Sequence, residues 1–111
     1  MKKIHESEFE YRFGDSGPKY LLRGPRMNMG VVVFQPGQDF RDHLHNVMEE
    51  NFFILEGELE FTVAGNTFTA RPGDLVSCEP GEAHYLKNIS DAPAKAVFAL
   101  APFQEKDKVD L

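Results

Sequence analysis

The stretch GQDFRDHLHNVMEENFFILEG, from Gly37 to Gly57, places two histidines and three glutamates within a segment rich in strand-forming residues. His43 and His45 are two residues apart, so on a strand both side chains project from the same face. A second segment, GDLVSCEPGEAHYLKN from Gly73 to Asn88, contributes His84. Three imidazoles and a nearby carboxylate form a mixed nitrogen and oxygen ligand set, which indicates a metal site.

Two adjacent glutamates, Glu49 and Glu50, compete for the carboxylate position of this site. On a regular strand Glu50 shares a face with Phe52 and Ile54, which would place it inside the molecule. Glu49 would then point outward. Strand parity therefore favours Glu50, although it leaves Glu49 as the alternative.

The rest of the chain has a weak helix signal and a strong two-residue alternation. Glu58 to Val63 (ELEFTV) is the clearest case, since apolar and polar side chains alternate throughout. Short segments of this kind recur between turns rich in Gly and Pro, which predicts an all-β sandwich or barrel. The predicted strands are Met29–Phe34, Asn51–Leu55, Glu58–Val63, Thr67–Ala70, Leu75–Cys78, Ala83–Lys87 and Ala94–Leu100.

Two of these strands, VVVF (31–34) and FFIL (52–55), are apolar on both faces. The outer face of a single-walled barrel should be polar, so something is expected to cover these residues. The N-terminal segment is one candidate, and a second copy of the chain is the other. We favour a homodimer because the outward apolar surface is large.

The size and composition are those of one small globular domain over residues 1–111, with a barrel core at about 20–103. The first dozen residues and the tail Gln104–Leu111 are expected to be loose ends. A net charge of -6 argues against nucleic acid and anionic membranes as partners. Cys78 is the single cysteine, and no apolar signal segment is evident, so we expect a reducing, cytoplasmic location.

The two histidine-containing segments together resemble the cupin superfamily. The first cupin motif matches in every spacing, and the second matches except that its proline position holds Glu79, with the proline displaced to Pro80. The matching residues are Gly37, His43, His45, Glu50 and Gly57 in the first motif, and Gly73, Gly81, His84 and Asn88 in the second. The resemblance implies a small double-stranded β-helix, or jelly-roll barrel, with the metal near one mouth. It also selects Glu50 over Glu49.

The expected cofactor is one divalent transition metal held by His43, His45, Glu50 and His84. This ligand set suits Fe, Mn, Ni, Cu, Co or Zn and does not suit Ca or Mg, which prefer oxygen shells. In a six-coordinate geometry it leaves two open positions, where a small molecule could bind or where a bound water could be acidified.

Residues that contact a substrate are harder to predict. Phe52, Phe61 and Met48 could line an apolar pocket, although core packing is the simpler explanation and the favoured one. Arg23, Arg26 and Arg41 could bind a carboxylate, or could be solvated surface charges. Arg41 shares strand parity with the histidines and is therefore the preferred candidate.

The leading hypothesis for function is a small metal-dependent enzyme that acts on a compact, oxygen-rich molecule by dioxygenase, isomerase or lyase-type chemistry. The alternative is a binding module that holds a sugar or sugar acid without converting it. A purely structural metal is a third possibility, which the open coordination positions disfavour. The ligand set alone does not choose among these reactions.

Overall fold

The computed structural model describes residues 1–111 and confirms the all-β prediction. Ten strands form two five-stranded antiparallel sheets, in the orders β1-β2-β9-β4-β7 and β10-β3-β8-β5-β6. The strands are β1 (Gly17–Arg23), β2 (Asn28–Phe34), β3 (Asp39–His45), β4 (Glu49–Glu56), β5 (Leu59–Val63), β6 (Asn66–Ala70), β7 (Leu75–Cys78), β8 (His84–Lys87), β9 (Ala94–Ala101) and β10 (Lys108–Asp110). The one helical segment is a short 3-10 turn at Glu6–Glu8, and no helix is long and apolar enough to span a bilayer.

The core lies between the two sheets and follows directly from the alternation in the sequence. In β9, the residues Ala94, Ala96, Phe98 and Leu100 are buried, while those between them are only partly so. The same alternation runs through β5, where Leu59, Phe61 and Val63 face inward. Sixteen buried residues form one continuous cluster, and burial of such apolar area is the main force that holds the sheets together. All seven predicted strands are present, with bounds shifted by at most two residues.

Gly57 ends β4 at a position that only glycine can occupy without strain. Its φ is +73°, and a Cβ there would lie 2.6 Å from the Pro93 carbonyl oxygen and 2.8 Å from the Ala94 Cα. A side chain would therefore meet both an unfavourable backbone conformation and a rigid neighbour. The glycine lets the chain turn from one sheet to the other directly against the start of β9.

The N-terminal segment, which we expected to be a loose end, is attached to the outer face of the first sheet. The Lys95 ammonium donates to both Glu6 carboxylate oxygens at 3.0 Å, and Lys19 donates to the Glu6 carbonyl at 2.9 Å. The Lys19 ammonium is also 4.1 Å from the centre of the Tyr11 ring. Lys19 is buried, and its charge is stabilised there by the Glu6 carboxylate and by the face of the Tyr11 ring.

The C-terminal tail also departs from the expectation of a loose end. Its residues 108–110 form β10, which pairs with β3 beside His43 and His45. The Asp107 carboxylate is buried and accepts hydrogen bonds from the backbone N–H groups of Val47 (3.0 Å) and Met48 (2.8 Å). The tail was misjudged because its sequence is polar, and its contribution comes from hydrogen bonds that an apolar pattern does not reveal.

The outer face of the first sheet is only partly covered. Val31 is buried, and its register partner Lys19 is held against Glu6 and Tyr11 of the N-terminal segment, which supports the first of the two coverings considered above. On β4 and β7, however, Phe53, Leu55 and Leu75 are exposed by 43%, 41% and 64%. Phe53 and Leu75 are register partners, so they form a continuous apolar patch at this edge. The N-terminal segment therefore accounts for the apolar surface around Val31. The patch of Phe53, Leu55 and Leu75 on β4 and β7 is left exposed.

Replacing Asp107 with Ala should lower the free energy of unfolding by about 1–3 kcal/mol, because buried backbone N–H groups lose their acceptor. Asp110→Ala, three residues away on the exposed tail, should change it by about 0.5 kcal/mol or less. Urea unfolding followed by far-UV circular dichroism measures both. Equal effects of the two substitutions would contradict the tethering role of Asp107.

Candidate metal centre

Four side chains from three strands meet at one point between the sheets. β3 supplies His43 and His45, β4 supplies Glu50, and β8 supplies His84, which is the register partner of His43. Their candidate ligand atoms all lie within 4.8 Å of one another, and all four residues are buried. The Glu50 Oε1 atom is 2.8 Å from the Nε2 of His84, 3.3 Å from that of His45 and 3.6 Å from that of His43. Glu49 lies outside and is exposed, as parity predicted.

Backbone carbonyls fix the orientation of two of the imidazole rings by contacting the Nδ1 atom, while Nε2 faces Glu50. The Nδ1 atom of His43 is 2.8 Å from the Arg41 carbonyl oxygen, and that of His84 is 3.0 Å from the Glu82 carbonyl oxygen. A carbonyl can only accept, so each Nδ1 carries the proton and the neutral ring has its lone pair on Nε2. When the rings are neutral, as metal binding requires, both lone pairs point to the centre of the cluster, which is the arrangement that metal-binding histidines adopt.

The electrostatics of the cluster depend on Glu50. Burial opposes ionisation of this carboxyl, but the three surrounding imidazoles outweigh burial and hold its pKa well below the usual range, with His45 and His84 within hydrogen-bonding distance of it. Burial also disfavours the charged form of His84, but the neighbouring Cys78 sulfur and the Glu50 carboxylate raise the pKa of His84 to about 10. The protein without metal thus pairs a carboxylate with a protonated imidazole, and a metal cation would take the place of that proton.

The spacing of the donor atoms fits a metal ion. Atoms that share one transition-metal ion at ~2.1 Å lie ~3.0–4.2 Å from each other in octahedral geometry. The separations from Glu50 Oε1, 2.8 to 3.6 Å, lie within about 0.6 Å of the ~3.0 Å between neighbouring positions of such an arrangement. Three imidazole nitrogens and one carboxylate oxygen also have the chemistry that transition metals bind. These residues could therefore hold a metal without rearrangement of the backbone.

A β-bulge in β3 shapes the approach to the cluster. The pairing with β8 shifts between Phe40 and His43, so that Arg41 and Asp42 span one position of the partner strand. Phe40 and His43 consequently both face inward although they are three positions apart in the sequence. Bulges of this kind often re-aim side chains next to functional sites. The bulge also brings the Arg41 carbonyl onto His43.

A cavity of about 290 Å³ opens from the cluster to solvent. His43, His45 and Glu50 lie at its floor, while His84 is 1% exposed and does not line it. The walls are largely apolar and include Tyr20, Val32, Phe40, Phe52, Phe98 and Leu100. This volume is at the lower end of the ~300–1,000 Å³ typical of small-molecule sites, so the cavity suits a compact ligand.

The structure divides the predicted substrate-contacting residues into two pairs. Arg41 and Phe52 line the cavity, whereas Phe61 and Met48 do not. Phe61 is fully buried, with its ring stacked on Phe68 at 5.7 Å and edge-on to Phe52 at 5.5 Å. Met48 is 5% exposed and belongs to the core cluster. Core packing, the simpler alternative at the outset, describes both residues.

Several lining residues were missed in the sequence because they belong to the two ends of the chain. Arg12 and Tyr20 come from the N-terminal segment and β1, and Lys108 and Asp110 come from β10. Burial, together with the negative charge of Glu50, raises the pKa of Tyr20, so its hydroxyl stays protonated at neutral pH. Phe40 was missed for a different reason, since the β-bulge reverses the parity on which the prediction depended.

Comparison with known proteins agrees with this geometry. The family model of the cupin domain matches residues 30–100. Among solved structures, a protein of Klebsiella pneumoniae described as having a double-stranded β-helix domain superposes with a TM-score of 0.84. The superposition covers 99% of this chain and 96% of that one at 20% identity, so it shows a common fold.

The curated relatives are longer than this chain, which matches only part of each of them. The polyketide synthase protein CurC of Streptomyces cyaneus is 32% identical over 78 residues, which cover 70% of this chain and 51% of CurC. The 5-nitrosalicylic acid 1,2-dioxygenase of a Bradyrhizobium species is 28% identical over 67 residues, which cover 60% of this chain and 32% of the dioxygenase. The chain thus spans about half or less of the length of these relatives.

Proposed function

Because this chain belongs to the cupin domain family, we propose that it is a small metal-dependent enzyme that acts on a compact, oxygen-bearing molecule. His43, His45, Glu50 and His84 are proposed to hold one divalent transition metal, from the group Fe, Mn, Ni, Cu, Co and Zn. The observation that carries the proposal is the convergence of four donor atoms within 4.8 Å at the floor of a cavity. The substrate would enter through that cavity.

At such a site, different residues of the chain would have different roles. When bound, the metal supplies Lewis acidity and, if it is iron, redox chemistry with dioxygen. The Arg41 and Glu82 carbonyls hold the His43 and His84 rings in orientation. The apolar wall excludes water from a bound molecule. The protonated Tyr20 hydroxyl can donate a hydrogen bond to an oxygen of that molecule.

The relatives support small-molecule chemistry of this kind. One is named as a dioxygenase of 5-nitrosalicylic acid, and another as a polyketide synthase protein. The first of these names gives an oxygen-bearing small molecule as the substrate. We therefore propose oxygenase chemistry first and isomerase or lyase chemistry second, with the reaction class to be decided by experiment.

A binding module without turnover is the second candidate, and one observation favours it. Neither carboxylate of the cavity mouth is placed as a free general base. Asp39 accepts a hydrogen bond from the Tyr85 hydroxyl, and Asp110 is paired with Lys108 at 3.4 Å. An enzyme built on this cavity would depend on the four-residue cluster for its proton transfers.

The metal proposal predicts a clear difference between two adjacent glutamates. Glu50→Gln should weaken metal affinity by about 10-fold or more because one anionic ligand is lost, whereas Glu49→Gln should leave it unchanged. His84→Ala should also lose metal. Elemental analysis of the purified proteins after equilibration with one equivalent of metal measures these effects. Full metal content in His84→Ala would refute the ligand assignment.

The same variants separate enzyme from binding module. We expect the iron-loaded protein to consume dioxygen in the presence of a 2-hydroxybenzoate, with loss of the activity in Glu50→Gln and retention in Glu49→Gln. Ligand-dependent thermal stabilisation with no change in the ligand, for every metal tested, would favour the binding module. Isomerisation or elimination without oxygen uptake would replace the oxygenase assignment.

We also propose that the chain forms a homodimer through the exposed patch of Phe53, Leu55 and Leu75. Light scattering at micromolar concentration should give twice the 12.6 kDa mass of the chain. Leu75→Glu should give the monomer mass, because a charge would be buried at the interface. Ile89→Glu, at an exposed loop position outside the patch, is the control. A monomer mass for the unmodified protein would rule out this assembly.

A further inference from the structure

The mouth of the cavity carries an unbalanced set of charges. Three cationic side chains, Arg12, Arg41 and Lys108, line it together with two acidic ones, Asp39 and Asp110. Both carboxylates have partners, and so does Lys108. The guanidinium groups of Arg12 and Arg41 make no ion pair and no hydrogen bond to the protein. A chain with a net charge of -6 thus presents two free cations at the entrance to its candidate metal centre.

The backbone of both arginines is firmly placed. The Arg12 N–H donates to the Pro18 carbonyl at 3.1 Å, which joins the N-terminal segment to the start of β1 beside the cavity. That segment is further held by the ion pairs of Glu6. Arg41 lies in the β-bulge, where its carbonyl accepts from His43. Arg12, from the N-terminal segment, and Arg41, from β3, therefore both line the mouth of the cavity. Neither side chain has a partner within the protein.

The inner wall of the cavity is apolar, in contrast to its charged mouth, and therefore indicates the chemistry of the other end of the ligand. Phe52, Phe98, Val32 and Leu100 present apolar surface between the mouth and the floor. The Tyr20 ring packs edge-on against Phe98 at 5.0 Å, which narrows this part of the cavity. Because these walls are apolar and the volume is small, a ligand that fills the cavity would have a compact, apolar body. Its acidic group would face the arginines.

On the basis of the proposed function, we propose that the substrate is a compact monocarboxylate with an apolar body, and that Arg12 and Arg41 bind its carboxylate. Guanidinium groups match the carboxylate fork and form charge-assisted hydrogen bonds. The three cations and two carboxylates leave the mouth with one net positive charge, which matches a monoanion better than a phosphate dianion. Since the chain as a whole is acidic, general electrostatic attraction does not produce this preference.

Benzoate and benzamide are suitable probes because they share size and shape and differ in charge. We expect benzoate to bind about tenfold more tightly than benzamide in ligand-observed NMR titrations. Arg12→Gln and Arg41→Gln should each weaken benzoate binding about threefold or more and leave benzamide unchanged. Arg26→Gln makes the same charge change at an exposed position away from the cavity and should have no effect.

The titrations are run on zinc-loaded and on EDTA-treated protein so that the two proposals can fail separately. The preference for benzoate should persist after EDTA treatment, because the arginines act without the metal. A preference that disappears with the metal would overturn the arginine assignment and leave the metal centre intact. Failure to bind zinc, with the preference retained, would contradict the proposed function alone.

Three other results would overturn the inference. They are equal affinities for benzoate and benzamide, an effect of Arg26→Gln as large as that of Arg12→Gln, and tighter binding of phenylphosphonate than of benzoate. The last would assign a dianion to the mouth in place of a carboxylate. Absence of benzoate binding to the unmodified protein would refute the proposal outright.

Discussion

The contact of one buried carboxylate oxygen with three imidazole nitrogens is the constraint on which the rest of the molecule depends. Glu50 Oε1 lies 2.8 to 3.6 Å from the Nε2 atoms of His43, His45 and His84. Removing a carboxylate from water is costly unless charged or hydrogen-bonding partners surround it. Three strands from the two sheets must therefore keep one register, since a slip of one residue would turn a ligand outward.

Much of the surrounding structure serves that register. The Asp107 carboxylate holds the backbone of Val47 and Met48, in the loop that joins His45 to Glu50. The Gly81 N–H donates to the His45 carbonyl at 2.7 Å, which ties the turn before His84 to β3. These bonds connect the chain on both sides of the cluster. The donor atoms are consequently placed before any metal arrives, and preorganisation of this kind favours tight binding.

The sequence predicted the parts of the fold and site that depend on local periodicity. His43 and His45 share a face, Glu50 faces inward and Glu49 outward, and β9 alternates as expected. It did not predict what depends on non-local hydrogen bonds or on a break in periodicity. Asp107 is a polar residue in a polar tail, and its hydrogen bonds are to the distant Val47 and Met48. Glu6 forms ion pairs with Lys19 and Lys95, which lie on the first sheet. The bulge at Arg41 and Asp42 reverses the parity of Phe40. None of these leaves a repeating pattern in the chain.

If the four-residue cluster binds one transition metal, the X-ray absorption spectrum at the edge of that metal reports its ligands directly. We expect a first shell of nitrogen and oxygen at ~2.0–2.2 Å, with scattering from three imidazole rings and no sulfur. A sulfur shell at ~2.3 Å would implicate Cys78 as a ligand. That result, or a shell without imidazole scattering, would contradict the assignment of the site.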